Sequence, residues 1–556
     1  MTKLDHPAPA RPATCATAPV RAETARFPRD TVVHALARAV ATNPERIFTD
    51  VSGDALTYRQ IDLESTRLAH SLSALGVKQG DRVVTVFDTS LDVFTTWFAI
   101  NKLGAVWVPI NTAYVGEFLR HQVADSGAQL IVCDAHYLAR IVAIAELLPN
   151  VRRVLVRNLA QAPRCAFEIE AFDAHRGHDE TPLPILARPE HLGMLIYTSG
   201  TTGPSKGCML SHNYLCMQGY QERRMVPQGP EDISWTCLPV FHLAALCTVL
   251  GALVGGLRCS LSPRFSVTHY WSEIEASGAT HALMMASIFS LLAHAPDNDA
   301  MKRCRGQLKM IWGQPITPPV RKIWQERFGV KTVYSYAYGQ TEANRIAFCL
   351  PGDDPPARCC GRAADEYELA VFDAEDQPVA DGTVGEIVVR PRAPNLIFEG
   401  YWNSPDKTAH AWRNLWMHTG DLGKLENGYL YFVDRAKDYL RSRGENISSF
   451  EIERTFTGHP AIAEVAIHTI GPQGAEDDIK ATIVLREGAQ LTPEEVCHWA
   501  IDQLPHFAVP RYFEFRLELL KNPTGKVLKY RLREEGVTAS TWDREAAGIE
   551  VRRRRT

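Results

Sequence analysis

The chain has 556 residues, 45% of them apolar and 22% charged, with 60 Lys and Arg against 64 Asp and Glu for a formal net charge of −4. These proportions exclude a wholly disordered, collagen-like or coiled-coil chain, and the length suits about three or four globular units. The near-balanced charge speaks against a general nucleic-acid binder.

In chain order, Met1 to Arg29 is rich in Ala, Pro and Arg and lacks the apolar run of a secretory signal, so it reads as a mobile leader. Its Arg-bearing, acid-poor composition also fits organelle targeting. From Thr31, helix-period stretches (Val32 to Thr42, Tyr58 to Leu75, Leu91 to Lys102) alternate with apolar runs of strand length, Arg82 to Phe87, Ala105 to Ile110 and Leu130 to Cys133. Such alternation predicts crossover units and largely parallel sheets, and it resumes from Gly193 to Ala347. The apolar run Leu243 to Leu257 is shorter than the roughly 18–20 residues a membrane span needs and carries three glycines, so it reads as a buried helix. Near Tyr367 the texture changes to short strand-like runs, Leu369 to Asp373 and Gly385 to Arg390, and a β-barrel-like subdomain ending near Val433 is expected. A last unit of mixed character follows, and the chain closes on Arg552 to Arg555, read as a solvated end. The expected organisation is a leader (1–29), a large α/β domain (30–434) of two parallel-sheet subdomains plus the barrel-like one, a small mobile α+β domain (435–535) and a basic tail (536–556). The 13 cysteines are scattered without a CxxC spacing and read as reduced, mostly buried thiols of a cytoplasmic protein.

The most informative segment is Tyr197 to Gly207, YTSGTTGPSKG, after the apolar run Met194 to Ile196 and before a helix-like stretch. Thr198, Ser199, Gly200, Thr201, Thr202 and Gly203 expose backbone and hydroxyl donors able to wrap a polyphosphate, and Lys206 adds a point charge. A Walker A loop needs its lysine followed by Ser or Thr. Here Lys206 precedes Gly207, so this is a phosphate loop of another type.

The segment resembles the phosphate loop of the adenylate-forming superfamily, which includes acyl-CoA synthetases, peptide-synthetase adenylation domains and beetle luciferases. Further motifs of that family follow in order. Tyr338-Gly339-Gln340-Thr341-Glu342 is similar to its aromatic-Gly-x-Thr-Glu motif, and Trp416 to Asp421 to its Thr-Gly-Asp motif. Asp434 to Asp438 with Gly444 to Ile447 resembles the hinge and the opening of the C-terminal domain. Pro523 to Val527 resembles the closing motif that bears a catalytic lysine, Lys526.

Each motif suits acid activation. A carboxylate attacking the α-phosphate of ATP brings two anions together, so the site must supply positive charge and fixed donors. Glu342 is the candidate Mg²⁺ ligand, since a hard cation prefers carboxylate and phosphate oxygens. Thr341 can donate to the α-phosphate, and the resemblance implies that adenine stacks on Tyr338, flanked on its other side by Gly313-Gln314-Pro315. Asp421, acceptor-only when ionised, suits the ribose hydroxyls. Arg435 resembles the residue that steadies the ribose and phosphate side, and Asp438 the hinge about which the small domain turns. Lys526 is the natural bridge between carboxylate and α-phosphate.

The acid pocket is less legible. His242 resembles the position that borders the reacting carboxylate, and Met284, Met285, Trp312, Gly313 and Tyr336 are expected to line the acyl chamber. Amino-acid-activating relatives place an aspartate where this chain has His242 after Phe241, which disfavours an α-amino acid. Relatives often carry a proline within the segment that here reads Met285-Ala286-Ser287. The stretches Tyr431 to Arg435, Gly444 to Ser448 and Asp478 to Ala481 resemble carnitine and crotonobetaine CoA ligases. The resemblance implies an ATP- and Mg²⁺-dependent ligase that adenylates a small-molecule carboxylic acid and passes the acyl group to CoA. Open alternatives are another acceptor (a carrier-protein thiol or an amine), an unusual oxyacid such as nitrite, and an inactive nucleotide-binding regulator. Neither a nucleic-acid partner nor a transmembrane segment is expected.

Overall fold

The computed structural model describes residues 27–198, 204–313, 316, 318–435, 439–442, 445–470, 478–520, 527 and 529–551. Residues 1–26 of the expected leader, the loop 199–203, and Gln314, Pro315, Asp438 and Lys526 therefore lie outside the described residues.

Two seven-stranded sheets form the body of the large domain. The first runs Glu168–Ala171, Arg153–Arg157, Leu130–Asp134, Arg82–Val86, Val106–Pro109, Leu192–Thr198 and Lys206–Ser211, parallel except for its last pair. The second runs Thr332–Tyr334, Met310–Trp312, His281–Leu283, Ile233–Thr236, Arg258–Leu261, Ile47–Val51 and Asp54–Thr57, again with one antiparallel edge. The helices expected from sequence are at Val32–Thr42, Tyr58–Ala74 and Leu91–Lys102. Side chains from both sheets share a core that includes Trp97, Trp107, Tyr214 and Leu250, as parallel sheets covered on both faces require. Leu243–Gly255 is a buried helix of 13 residues, and no described helix is long and apolar enough to cross a membrane.

The β-rich region consists of two antiparallel ladders, Ala337–Gln340 with Asn344–Phe348 and Arg362–Ala363, then Tyr367–Phe372 with Gly385–Pro391, Met417–Glu426 and Tyr429–Arg435. Backbone bonds from Cys360 to Leu430 and from Leu430 to Gly361 stitch one ladder to the other.

The small domain folds on a sheet of Ile462–Ile470, Asp478–Leu485, Tyr512–Arg516 and Trp542–Asp543. Arg552 to Arg555, read as a solvated end, lie outside the described residues. Residues 536–551 run back along the small domain: Trp542 and Asp543 add an edge strand, Trp542 packs edge-on against Phe513, Arg511 pairs with Asp543, and Val551 joins the core. Trp542 and Val551 bury enough apolar surface to hold this segment down. The core of this domain also includes Phe118 of the large domain, and Tyr114 lies 6.5 Å from Phe507, ring to ring. Among the described residues all 12 cysteines are free thiols, 10 of them buried.

Candidate active site

The phosphate loop does not lead straight into a helix. It joins two antiparallel strands, with Thr198 and Lys206 as cross-strand partners, and the helix His212–Met225 begins only after the second. Gly400 to Trp402 continues this edge: Met209 N–H donates to Gly400 O (3.0 Å) and Trp402 N–H to Gly207 O (2.8 Å). That pairing sets Tyr401 beside the loop. Its ring lies under the Lys206 ammonium at 4.0 Å, and its hydroxyl donates to Glu342 Oε1 at 2.8 Å. Tyr401 thus links the Lys206 cation, held over its ring face, to a buried carboxylate, bonded by its hydroxyl.

Glu342, 8% exposed, sits in the turn between Ala337–Gln340 and Asn344–Phe348. The turn explains its motif. A Cβ on Gly339 would lie 1.9 Å from Asn344 O, so no side chain fits there, while Asn344 adopts φ +48°, a region asparagine tolerates. Tyr214, on the helix that follows the phosphate loop, donates to Thr341 O (2.6 Å) and accepts from Asn344 N–H (2.7 Å). The turn that carries the carboxylate is therefore held by the helix that follows the phosphate loop in sequence. Cys208, beside Glu342, is kept a neutral thiol by burial and by that carboxylate's charge.

Asp421 and Tyr338 also meet: the tyrosine hydroxyl donates to Asp421 Oδ2 at 2.6 Å, and both residues are buried. Gly420, at φ +73°, donates its N–H to Glu386 Oε1 (3.0 Å), and Asp421 N–H donates to Thr419 Oγ1 (3.1 Å). Burial would raise the Glu386 carboxyl, but His418, the Gly420 amide and Arg413 hold it below the ordinary carboxylate value. Phe432 lies 6.0 Å from the Tyr338 ring, tilted by 30°. Asp421 is the cross-strand partner of Arg435, so register alone brings the Thr-Gly-Asp motif to the hinge motif; the Arg435 side chain lies outside the description.

On the expected acyl side, Gly313 follows the strand Met310–Trp312, where a Cβ would stand 2.2 Å from Met284 O. Its absence lets Met284, Trp312 and Gly313 pack together, while Met285 and Tyr336 are half-buried. His242 is the N-terminal flanking residue of the helix Leu243–Gly255, half-buried, its ring 4.7 Å from that of Phe241. Sequence reasoning did not single out Tyr401 or Tyr214, nor the buried pair Glu222–Arg345 beside the acyl side. Only Arg345 carried a signal: a lone charge in the apolar strand Asn344–Phe348, three residues after Glu342.

Two buried carboxylates, Glu342 and Asp421, are thus each bonded by a tyrosine hydroxyl in a chain of two α/β domains. Residues 36–402 match the family described as AMP-binding enzyme, and residues 451–526 match the AMP-binding enzyme C-terminal domain. The chain belongs to the AMP-binding enzyme family. It is 28% identical over 484 residues to the crotonobetaine/carnitine–CoA ligase of Salmonella typhimurium, covering 86% of this chain and 93% of that one. Among solved structures it resembles ATP-bound MatB from Rhodopseudomonas palustris (26% identity, TM-score 0.64, covering 90% and 98% of the two chains). The amide bond synthetase McbA from Marinactinospora thermotolerans shares the fold (24% identity, TM-score 0.78, covering 91% and 99%).

Proposed function

We propose that this chain is an AMP-forming acid–thiol ligase. A carboxylic acid attacks the α-phosphate of ATP to give acyl-AMP and pyrophosphate; the CoA thiol then attacks the acyl carbon and releases AMP. The observation that carries this reading is the convergence of Lys206, Tyr401 and Glu342, an arrangement suited to holding a polyphosphate and its cation. Glu342 is a hard oxygen donor in a turn fixed by Tyr214, and such a donor fits Mg²⁺. When bound, that ion would neutralise phosphate charge. The loop hydroxyls and Lys206 hold the phosphates, Thr341 donates to the α-phosphate, and Asp421 accepts from the ribose. Tyr338 offers its face to adenine opposite Gly313 to Pro315. His242 borders the carboxylate, and Lys526 bridges it to the α-phosphate. Arg435 steadies the ribose side, and the small domain turns about Asp438 to exchange lysine for thiol. The free thiols suit a reducing compartment such as the cytoplasm.

The test is pyrophosphate release over an acid panel, with and without CoA, with product masses. Acid-dependent AMP accompanied by a CoA thioester is expected. AMP formation that ignores CoA but responds to an amine or a carrier protein would assign a different acceptor, and no acid-dependent release at all would overturn adenylation.

A further inference from the structure

Behind Trp312 and His242 lies a polar cluster in otherwise apolar surroundings. The helices His212–Met225 and Leu243–Gly255 approach closely because both contacts are glycines. A Cβ on Gly219 would meet Leu250 O at 2.5 Å, and one on Gly251 would meet Glu222 Cγ at 2.9 Å. This seals Glu222, whose side chain is 3% exposed, against Arg345, which keeps 13% of its side-chain surface open. Arg345 donates through Nη2 to Glu222 Oε2, and the Trp312 indole lies beside the same carboxylate. Gln218 donates through its amide nitrogen to Leu243 O at 2.9 Å, the carbonyl next to His242.

The cluster is incomplete. Among the described residues, Arg345 Nη1, Trp312 Nε1, Glu222 Oε1 and Gln218 Oε1 are buried with no hydrogen-bond partner. The Cys247 thiol, which Gln218 Nε2 reaches at 2.8 Å, lies against Arg345 and Glu222. Yet buried polar atoms are rarely left open, and four on three neighbouring segments point to something that completes them. Their chemistry restricts what that is. Two are donors and two are acceptors, and the charges of Glu222 and Arg345 already cancel. A second carboxylate or a cationic group would leave net charge in a buried site, which is costly. An uncharged group that both accepts and donates would not.

We propose that these four side chains form a specificity subsite for an uncharged hydroxyl or carboxamide carried by the acid at the end remote from its reacting carboxyl. Arg345 and Trp312 donate to its oxygen, while a hydroxyl's one hydrogen goes to Glu222 or Gln218 and a carboxamide's two reach both. The assignment rests on the acid-activating reading above, because Trp312 and His242 are the residues that reading places around the acid.

The experiment uses the full chain and matched acids: 4-hydroxybutyrate against butyrate, 4-hydroxybenzoate against benzoate, and succinamate against succinate, with 4-trimethylammoniobutyrate as the cationic member. Acid binding is measured by calorimetry and turnover by pyrophosphate release. At least one hydroxylated or amidated acid should exceed its partner by on the order of 10²-fold in kcat/KM, since a site built to bond a hydroxyl strongly rejects the analogue without it. Arg345→Met should collapse that ratio by about 10-fold or more, and so should the gentler Glu222→Gln, which guards against a folding failure of the first. Equal binding and turnover within every pair would overturn the subsite and leave a hydrated structural cluster. Preference for succinate or for the quaternary ammonium acid would overturn its uncharged character. Turnover without preference defeats the subsite and leaves the ligase reading standing; preferential binding without turnover does the reverse.

Discussion

The small domain and the acyl side of the large domain each bury a carboxylate–cation pair, Glu514 with Lys480 and Glu222 with Arg345. Around Glu514 every demand is met. Lys480 also donates to Gly536 O (2.7 Å), and Arg516, Thr538 and Thr541 donate to the carboxylate at 2.8, 3.0 and 2.9 Å. Around Glu222 one oxygen is satisfied and the other is not, and Arg345 likewise keeps an open nitrogen. A complete buried pair holds structure together; an incomplete one at the edge of a site is an instruction about a ligand. The contrast also accounts for the folded segment 536–551, whose Gly536, Thr538 and Thr541 close the first network.

The largest expected effect tests the complete pair. Glu514→Ala leaves Lys480 buried without its partner and should cost about 3–5 kcal/mol of stability, measured by chemical denaturation. Burial pushes the Glu514 carboxyl up, but Lys480, Arg516 and Thr541 overcome it and hold it at about 2, below the ordinary 4.5. Because the folded value is depressed, its contribution is fully present above the ordinary value and is lost as pH falls through that window toward about 2. Glu514→Gln should flatten this acid dependence; an unchanged profile would remove the pair from the account.

Next in size are the groups that face ligands, where activity should fall without loss of stability. Lys526→Ala should lower acyl-AMP formation by on the order of 10²-fold or more, and spare thioester formation from supplied acyl-AMP and CoA. Asp438→Pro should do the reverse, because a locked φ restricts the hinge. Equal loss in both half-reactions for Lys526→Ala would make that lysine structural. Glu342→Ala should also cost about 10²-fold in adenylation with an unchanged denaturation midpoint. Near wild-type pyrophosphate exchange at limiting Mg²⁺ would end its role as ligand.

The smallest expected effect is Tyr401→Phe, which keeps the ring under Lys206 and removes only the hydroxyl from Glu342. A single hydrogen bond of about 1 kcal/mol corresponds to roughly fivefold in adenylation. A loss as large as that of Glu342→Ala would mean that Tyr401 touches the reacting groups itself.

These residues differ in how they could be read. The phosphate loop, Tyr338 to Glu342 and Thr419 to Asp421 are contiguous, because the backbone of a tight turn positions its own side chains. Gly339 was legible for the same reason: its constraint comes from Asn344, five residues away. The alternation of helix and strand likewise follows from local periodicity, and the helices at Val32, Tyr58 and Leu91 begin where that pattern places them. Tyr401 was not legible, since it reaches Glu342 across 59 residues through an edge pairing that no local pattern announces. Glu222 and Arg345 are 123 residues apart, and no local pattern announces that they pair. The docking of residues 536–551 was not legible either, since the packing of Trp542 and Val551 depends on a sheet edge and a core made elsewhere.

The central claim is that an acid oxygen attacks the α-phosphate of ATP and is carried away on AMP when the thiol takes the acyl group. The most direct test uses the acid of highest pyrophosphate release, labelled with ¹⁸O in its carboxyl group, in a single turnover with ATP and CoA. The account predicts one ¹⁸O atom in the phosphate of AMP and none in pyrophosphate. Label in pyrophosphate or inorganic phosphate, or AMP formed without label, would contradict it.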